Sequence, residues 1–396
     1  MPATGSGPEA PAPLVRVSVL RLVDFRNHAA LRLAFTRPFV VFAGENGSGK
    51  TNLLEALSLL SPGRGLRRAV TQDLARKDGS GGFSVGAEIV SNGVESRIAT
   101  QLRPDAASPT RLIRIDETVP DRAEALLDLL RVLWLTPAMD GLFTGPAGDR
   151  RKFLDRLVLA VDPGHGRRAA DYERAMRQRN RLLSEHRRED AWIAGVEAQM
   201  AELGIAIALA RAELVALLAG MILEAGPSGP FPQAGLALTS GYGAMALDRP
   251  AADLEDAARL SLAEGRFEDR AAGRTLAGPH RGDLLVSHAG KAMPAALSST
   301  GEQKALLVGL VLAHARLVAR ISGLSPILLL DEIAAHLDPG RRAALFDIVE
   351  TLGVQAFMTG TDMDLFSALG SRAQFHPTTA EGVGEPFPPP RAPELP

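Results

Sequence analysis

The stretch from Phe39 to Leu54, FVVFAGENGSGKTNLL, constrains this chain more than any other. An apolar run, Phe39-Val40-Val41-Phe42, ends at Ala43. The glycine-rich segment Gly44-Glu45-Asn46-Gly47-Ser48-Gly49 follows. Lys50-Thr51-Asn52 then opens a stretch with helical apolar spacing, Leu53, Leu54, Ala56, Leu57 and Leu60. The order is strand, loop, helix, and the loop matches G-x-x-x-x-G-K-[ST], a Walker A element. Glycines permit left-handed turns and leave no Cβ between backbone and phosphate. Successive N–H groups and a helix N-terminus then face an anion. In this setting Lys50 is expected to reach the β- and γ-phosphates of ATP, and the Thr51 hydroxyl to hold Mg²⁺.

A length of 396 residues exceeds what one hydrophobic core usually supports, so two domains or a large insertion are expected. The apolar fraction of 46% and charged fraction of 23% are those of a soluble globular chain. The net charge of −2 means that any surface for a polyanion must be a local patch. With no cysteine, disulfides and thiolate metal sites are excluded. Residues 1–14 are rich in Pro, Ala and Gly, lack the pattern of a signal peptide, and are expected to be a disordered tail. Charges interrupt the longest apolar stretches, at Arg211 and Glu213 and at His314 and Arg316, so no membrane span is expected. A cytoplasmic location follows as the expectation.

Alternation and β-branching predict strands over Val15–Phe25 and Leu31–Phe35, joined by the turn Arg26-Asn27-His28. Arg64, Arg67 and Arg68 form a basic loop after the Walker A helix. Phe83–Val90 and Ser96–Leu102 flank Asn92-Gly93, a hairpin signal, and Leu112–Ile115 continues the antiparallel strands. Arg122–Leu130 is expected to be helical and Val132–Leu135 a short buried strand. From Gly148 to about Ala263 strand signals nearly vanish and helical spacing takes over. This segment is rich in arginine, beginning with Arg150 and Arg151 and ending with Arg187 and Arg188. Such helices mostly present solvated faces with intrahelical partners, here Asp155, Asp171, Glu173 and Glu185. A strand is expected at Asp283–Ser287, a helix at about Gly301–Ala319, a buried parallel strand ending at Leu330, a helix at Gly340–Leu352 and another buried strand at Val354–Met358. The proline-rich end from Glu381 is expected to be disordered.

The strand Ile327–Leu330 runs into Asp331-Glu332, a Walker B pattern. A carboxylate at that strand end can organise Mg²⁺, and the next one can orient or deprotonate a water. Compact P-loop kinases and GTPases hold the two elements much closer together. Here most of the chain lies between them, and Leu297-Ser298-Ser299-Thr300-Gly301-Glu302-Gln303-Lys304 precedes the second. That segment resembles the signature of ABC-type ATPases at Ser299, Gly301 and Gln303. In that class it faces the γ-phosphate held by a second subunit. The same residues also read as an ordinary capping box, Ser299 with Glu302, and both readings can hold together. Asp338 matches the dimer-contacting D-loop, and Thr361 stands where the class carries a switch histidine.

With these elements in view, the chain resembles the RecF family of bacterial recombination mediators over about Val15 to Phe375. The marks are Phe25-Arg26-Asn27, Gly44–Asn52, Arg150-Arg151-Lys152-Phe153-Leu154-Asp155, Gly278-Pro279-His280-Arg281, Ser299–Lys304 and Leu330-Asp331-Glu332 with Leu337-Asp338. Where the family continues the fourth motif with an acidic pair, Gly282 replaces the first acid and Asp283 keeps the second.

The resemblance implies an α/β ABC-ATPase head related to those of SMC proteins, with a P-loop core sheet, an antiparallel β subdomain and a compact helical second lobe. No sustained heptads indicate the long coiled coil of SMC proteins. The expected division is 15–140 and 271–380 for the ATP-binding part, 141–270 for the helical lobe, and tails at 1–14 and 381–396. The resemblance also implies an ATP-dependent homodimer that binds DNA at gaps and single-strand/double-strand junctions. It implies slow ATP hydrolysis, work with RecO and RecR in loading RecA, and links to replication and the SOS response. Candidate DNA contacts are Arg64, Arg67, Arg68, Arg150 and Arg151. An ABC transporter ATPase subunit and a P-loop small-molecule kinase remain as alternatives.

Overall fold

A computed structural model describes residues 15–104, 110–185, 190–226 and 229–387 of the chain. The tail expected at 1–14 and the residues Arg187 and Arg188 lie outside these. Two compact units emerge, Met1–Met139 with Leu307–Pro396, and Asp140–Leu306. Residues 271–306, grouped by the sequence with the ATP-binding part, therefore fall in the second unit.

The first segment carries β1 (Val15–Phe25), β2 (His28–Ala34), β3 (Phe39–Ala43), α1 (Lys50–Ser58), β4 (Phe83–Ser91), β5 (Val94–Leu102), β6 (Leu112–Ile115) and β7 (Val132–Leu135). The middle segment carries α2 (Ala147–Val161), α3 (His165–Ser184), α4 (Asp190–Glu224), β8 (Ala234–Thr239), α5 (Ala251–Glu264), α6 (Arg266–Ala272), β9 (Asp283–His288) and β10 (Met293–Pro294). Then come α7 (Thr300–Ser322), β11 (Ile327–Leu330), α8 (Pro339–Thr351), β12 (Ala356–Gly360), β13 (Ala373–Thr379) and β14 (Gly382–Val383).

The first unit holds two sheets. The core sheet has six strands in the order β14-β13-β3-β12-β11-β7, parallel from β13 to β7. Strands β3, β7, β11 and β12 are buried at every position. That is why they read as unbroken apolar runs rather than alternating ones. The second sheet is antiparallel, in the order β2-β1-β4-β5-β6. In β4, Val85, Ala87 and Ile89 point inward while Ser84, Gly86 and Glu88 are half-buried. One apolar cluster joins Leu20 and Leu22 of β1, Leu53 and Leu57 of α1, and Phe42, Leu329 and Phe357 of the core sheet.

Two polar devices fix this packing. The β1–β4 register shifts between Val17 and Val19. There the buried Gln355 amide acts as a strand neighbour. Its Oε1 accepts from the Val17 N–H at 2.8 Å, and its Nε2 donates to the Val17 carbonyl at 3.0 Å. The second device is Arg26, in the β1–β2 turn at φ 53°. Its Nε and Nη2 each donate to the Glu55 carboxylate of α1 at 2.8 Å, and Glu55 has no solvent exposure. Arg67 adds a longer contact at 3.4 Å.

The second unit packs α2 to α6 with the three-stranded antiparallel sheet β10-β9-β8. At its centre the fully buried Arg179 donates to Glu197 at 3.0 Å, Asp269 at 2.5 Å, Thr275 at 3.1 Å and the Leu262 carbonyl at 2.6 Å. The exposed arginines of α3 pair along the helix, Arg174 with Asp171, Arg177 with Glu173 and Arg181 with Glu185. By length and composition α4 and α7 reach what a membrane-crossing helix needs, with mean hydropathy 2.1 and 1.7 in their most apolar windows. The sequence reading did not anticipate this. Within α4, Arg211 turns inward and forms a two-pronged pair with Asp155 at 2.8 and 2.9 Å.

Several expectations need correction. Residues 148–263 are not wholly helical, since β8 runs beside β9. Arg122–Leu130 forms a 3₁₀ turn over Ala123–Asp128. Residues 382–387, within the end expected to be disordered, are ordered, with β14 pairing β13 and the Phe387 N–H donating to the Phe375 carbonyl at 3.0 Å; residues 388–396 lie outside the described residues.

Removing one partner of a buried ion pair leaves an uncompensated charge. Arg26→Ala should therefore cost about 3 kcal/mol or more of unfolding free energy in urea. The double substitution Arg26→Leu with Glu55→Leu should cost less than Arg26→Ala alone.

Candidate nucleotide site and signature segment

The site in the first unit is built at the C-terminal ends of three neighbouring parallel strands, β3, β12 and β11. Strand β3 leads into the Walker A loop, whose Gly44 N–H donates to the Gly360 carbonyl of β12 at 3.1 Å. Glu45, Asn46 and Gly47 are exposed. Gly49 is the N-cap of α1 at φ 96°, and a Cβ there would lie 2.6 Å from Asn27 Nδ2, so two independent constraints demand glycine. Asn27 Oδ1 in turn accepts from Asn52 Nδ2 at 2.7 Å, tying the β1–β2 turn to the first turn of α1.

Lys50 is 4% exposed, and its ammonium donates to the Gly44 and Glu45 carbonyls at 2.7 Å each. Burial pulls its pKa below the ordinary amine value, while the nearby Glu332 and Asp331 carboxylates oppose that shift. Ser48 Oγ is buried in the loop and has no hydrogen-bond partner among the described residues. A buried hydroxyl left open in a loop of this sequence suits an anionic ligand that fills the loop.

Strand β11 delivers Asp331, whose N–H donates to the Leu135 carbonyl of β7 at 2.9 Å. Asp331 Oδ1 accepts from Thr51 Oγ1 at 3.0 Å, across 280 positions of sequence. The same oxygen accepts from Thr359 Oγ1 at 2.8 Å. Thr51 and Asp331 together form a hard-oxygen donor pair, the kind Mg²⁺ uses when phosphates and waters complete its shell. Among the described residues no group of three or more His, Cys, Asp or Glu side chains is arranged to hold a metal by itself. Glu332 follows in the left-handed region at φ 55°, and its N–H donates to Thr359 Oγ1 at 2.9 Å.

Thr359 did not stand out in the sequence. No motif marks it, and the strand expected to stop at Met358 continues through Gly360. Thr361, the position of the class's switch histidine, is exposed. Asp338 is the N-cap of α8 and accepts from the Arg341 N–H at 2.9 Å.

The signature segment belongs to the second unit. Ser299 and Glu302 form the capping box of α7. Glu302 Oε2 accepts from the Ser299 N–H at 3.1 Å and hydroxyl at 3.0 Å. Lys291 Nζ donates to the other carboxylate oxygen at 2.5 Å. Lys291 and Ser299 together hold the Glu302 carboxyl at about 2. Among the described residues nothing lies within 4 Å of where a Cβ on Gly301 would stand. Gln303 Nε2 donates to the Ser298 carbonyl at 2.8 Å.

The candidate DNA contacts separate into two groups. Arg64 and Arg68 are exposed, and Arg67 is 44% exposed while contacting Asn52 and Glu55. Arg150 and Arg151 are engaged inside the second unit. Arg150 grips Asp283 through two bonds of 2.8 Å and the Gly145 carbonyl at 2.6 Å, and the Asp283 bonds raise its pKa. Arg151 donates to the Gly282 carbonyl at 2.8 Å. The departure at Gly282 has a steric reason, because a Cβ there would lie 2.6 Å from the Thr239 carbonyl oxygen.

Comparison with known proteins agrees with this layout. The family model described as "RecF/RecN/SMC N terminal domain" matches residues 16–375. The DNA replication and repair protein RecF of Mesorhizobium japonicum is 60% identical over 359 residues, 91% of this chain and 95% of that one. RecF of Rhizobium etli is 59% identical over 93% of this chain and 98% of its own. Among solved structures, that of the recombination mediator protein RecF-ATPrS in the RecFOR pathway superposes with a TM-score of 0.83 at 21% identity. It covers 95% of this chain and 99% of its own. The Smc head domain from Pyrococcus furiosus bound to the C-terminal domain of ScpA reaches a TM-score of 0.51 at 16% identity, over 94% and 96% of the two chains. The chain therefore belongs to the RecF family, within the RecF/RecN/SMC N-terminal-domain proteins.

Proposed function

We propose that this chain is an ATP-gated DNA-binding protein of replication and repair, a recombination mediator that closes as a homodimer on DNA. The observation that carries the reading is the 3.0 Å contact of Thr51 with Asp331, which joins a phosphate loop and a Walker B carboxylate from opposite ends of the sequence. The place of its relatives in DNA replication and repair supports it, as does the ATP of a solved RecF structure. The transporter-ATPase and kinase alternatives fall with the family assignment.

In this reading Gly44 to Asn52 cradle the triphosphate of ATP, with Lys50 leaving the Gly44 and Glu45 carbonyls to reach its terminal groups. Thr51 and Asp331 are the oxygen donors that would hold Mg²⁺, which would supply charge neutralisation for the phosphates. Glu332 orients a water for slow hydrolysis. Ser299 and Gly301 of one copy, with Asp338, complete the site of the other. For that, the Ser299 hydroxyl must exchange its bond to Glu302 for one to phosphate. Arg64 and Arg68 are the exposed candidates for phosphodiester contacts. Duplex is favoured over single strand because few aromatic side chains are present, with Trp 2 and Tyr 2, and most phenylalanines are buried. RecR, RecO and RecA are the partners that the family relationship suggests, at gaps and junctions.

Two outcomes test this. Lys50→Ala should lose ATP binding in equilibrium titration, whereas Glu332→Gln should keep it and shift sedimentation with ATP from monomer to dimer. A Glu332→Gln chain that binds ATP yet stays monomeric contradicts the clamp. On DNA, Arg64→Ala with Arg68→Ala should weaken ATP-dependent binding to all sequences alike and lower the salt slope by about two. An unchanged slope would remove these residues from the interface.

A further inference from the structure

We propose that Thr359 is a positioning residue that joins the phosphate loop to both Walker B carboxylates, so that movement of the loop reaches Glu332. The inference rests on the nucleotide reading above and specifies how the site regulates its own hydrolysis.

Thr359 is 1% exposed and lies in β12, directly beside Phe42 of β3. Its hydroxyl has a single proton, given to Asp331 Oδ1 at 2.8 Å. The oxygen also accepts the Glu332 N–H at 2.9 Å. Thr51 gives its own proton to the same Asp331 oxygen. Among the described residues, however, no donor reaches the Thr51 hydroxyl, so its lone pairs can face a cation. The Thr359 oxygen faces the backbone of Glu332 instead. The two threonines therefore have different jobs on one carboxylate, one toward the metal and one toward the neighbouring acid.

Glu332 stands at φ 55°, which a residue with a Cβ adopts only when its surroundings hold it there. The bond from its amide to Thr359 is one such restraint. One residue further along β12, the Gly360 carbonyl accepts from the Gly44 N–H at 3.1 Å, at the first residue of the phosphate loop. Phe366 packs closely on Gly360, where a Cβ would sit 2.5 Å from its ring. Thr359 and Gly360 are successive residues of β12. The Thr359 hydroxyl holds Asp331 and Glu332, and the Gly360 carbonyl holds the first residue of the loop. When phosphates draw the loop in, Gly360 follows Gly44, and the Thr359 hydroxyl shifts the backbone that aims Glu332. Thr361, the sequence position of the sensor, has its side chain in solvent and is not part of this connection.

The experiment compares Thr359→Val with Thr359→Ser. Valine keeps the shape and removes both hydrogen bonds, and serine keeps the hydroxyl. The valine variant should lose about tenfold or more in kcat for ATP hydrolysis while its KM for Mg-ATP stays within about twofold and its thermal midpoint holds. The serine variant should recover kcat to within about threefold of the parent. Should the valine variant not fold, Thr359→Cys, a weak donor of similar size, carries the same comparison. Hydrolysis by the valine variant at the parent rate overturns the proposal. So does a serine variant as slow as valine, or a parallel loss of kcat and nucleotide affinity, which is what mere loosening of the sheet would give. Failure of the nucleotide reading looks different, because the parent chain would then neither bind nor hydrolyse ATP.

Discussion

The structure of the first unit depends on the parallel pairing of β3 with β12 and of β12 with β11. Register places Ala43 beside Gly360 and Leu330 beside Met358, so β3 and β12 finish together and β11 finishes two residues earlier. The candidate site within this unit hangs from those ends: the loop after Ala43, the acids after Leu330 and the hydroxyl at Thr359. A slip of one residue would turn each side chain to the opposite face. The near-continuous burial of these strands makes such a slip costly, and two devices resist it from outside. Gln355 fastens the base of β12 to Val17, and Gln374 of β13 accepts from the Thr36 N–H at 2.9 Å and donates to the Ala34 carbonyl at 2.8 Å.

The loop also needs a floor. Glu55 lies inside α1 without solvent, an expensive place for a carboxylate unless it is fully matched. Arg26 supplies two parallel bonds from a turn that is itself in a left-handed backbone conformation. Asn27, the next residue, reaches Asn52. The Phe25-Arg26-Asn27 segment is thus the support under the first turn of the Walker A helix. It ties the antiparallel sheet to the nucleotide loop through charge and hydrogen bonds rather than through apolar contact alone. The second unit uses comparable chemistry around Arg179 and Arg211.

How much of this the sequence revealed follows from what kind of force set each part. The core strands were legible because burial on both faces demands unbroken apolar runs, as in Ile327–Leu330. The Walker A and B elements were legible because their chemistry fixes residue types at fixed spacing. Strand β8, AGLALT, was not, since small residues carry little strand preference and its conformation comes from pairing with β9. Strand β13 contains Pro377, which argues against a strand read in isolation, yet it sits beside β3. Charge counting placed Arg150 and Arg151 with the DNA candidates. Only coordinates show that Asp283 and the Gly282 carbonyl occupy them. Thr359 was invisible for a related reason, because its importance lies in two bonds to residues distant in sequence.

The central claim is that one complete nucleotide site takes the phosphate loop of one copy and the signature segment of another. Mixing two inactive chains tests it most directly. A Lys50→Ala chain lacks a working loop but keeps Ser299, and a Ser299→Arg chain keeps its loop but presents a blocked signature. Together they can assemble one intact site. The account predicts that ATP hydrolysis in an equimolar mixture rises well above that of either chain alone. A mixture no more active than the sum of its parts would contradict it, because each chain would then hold its own site complete.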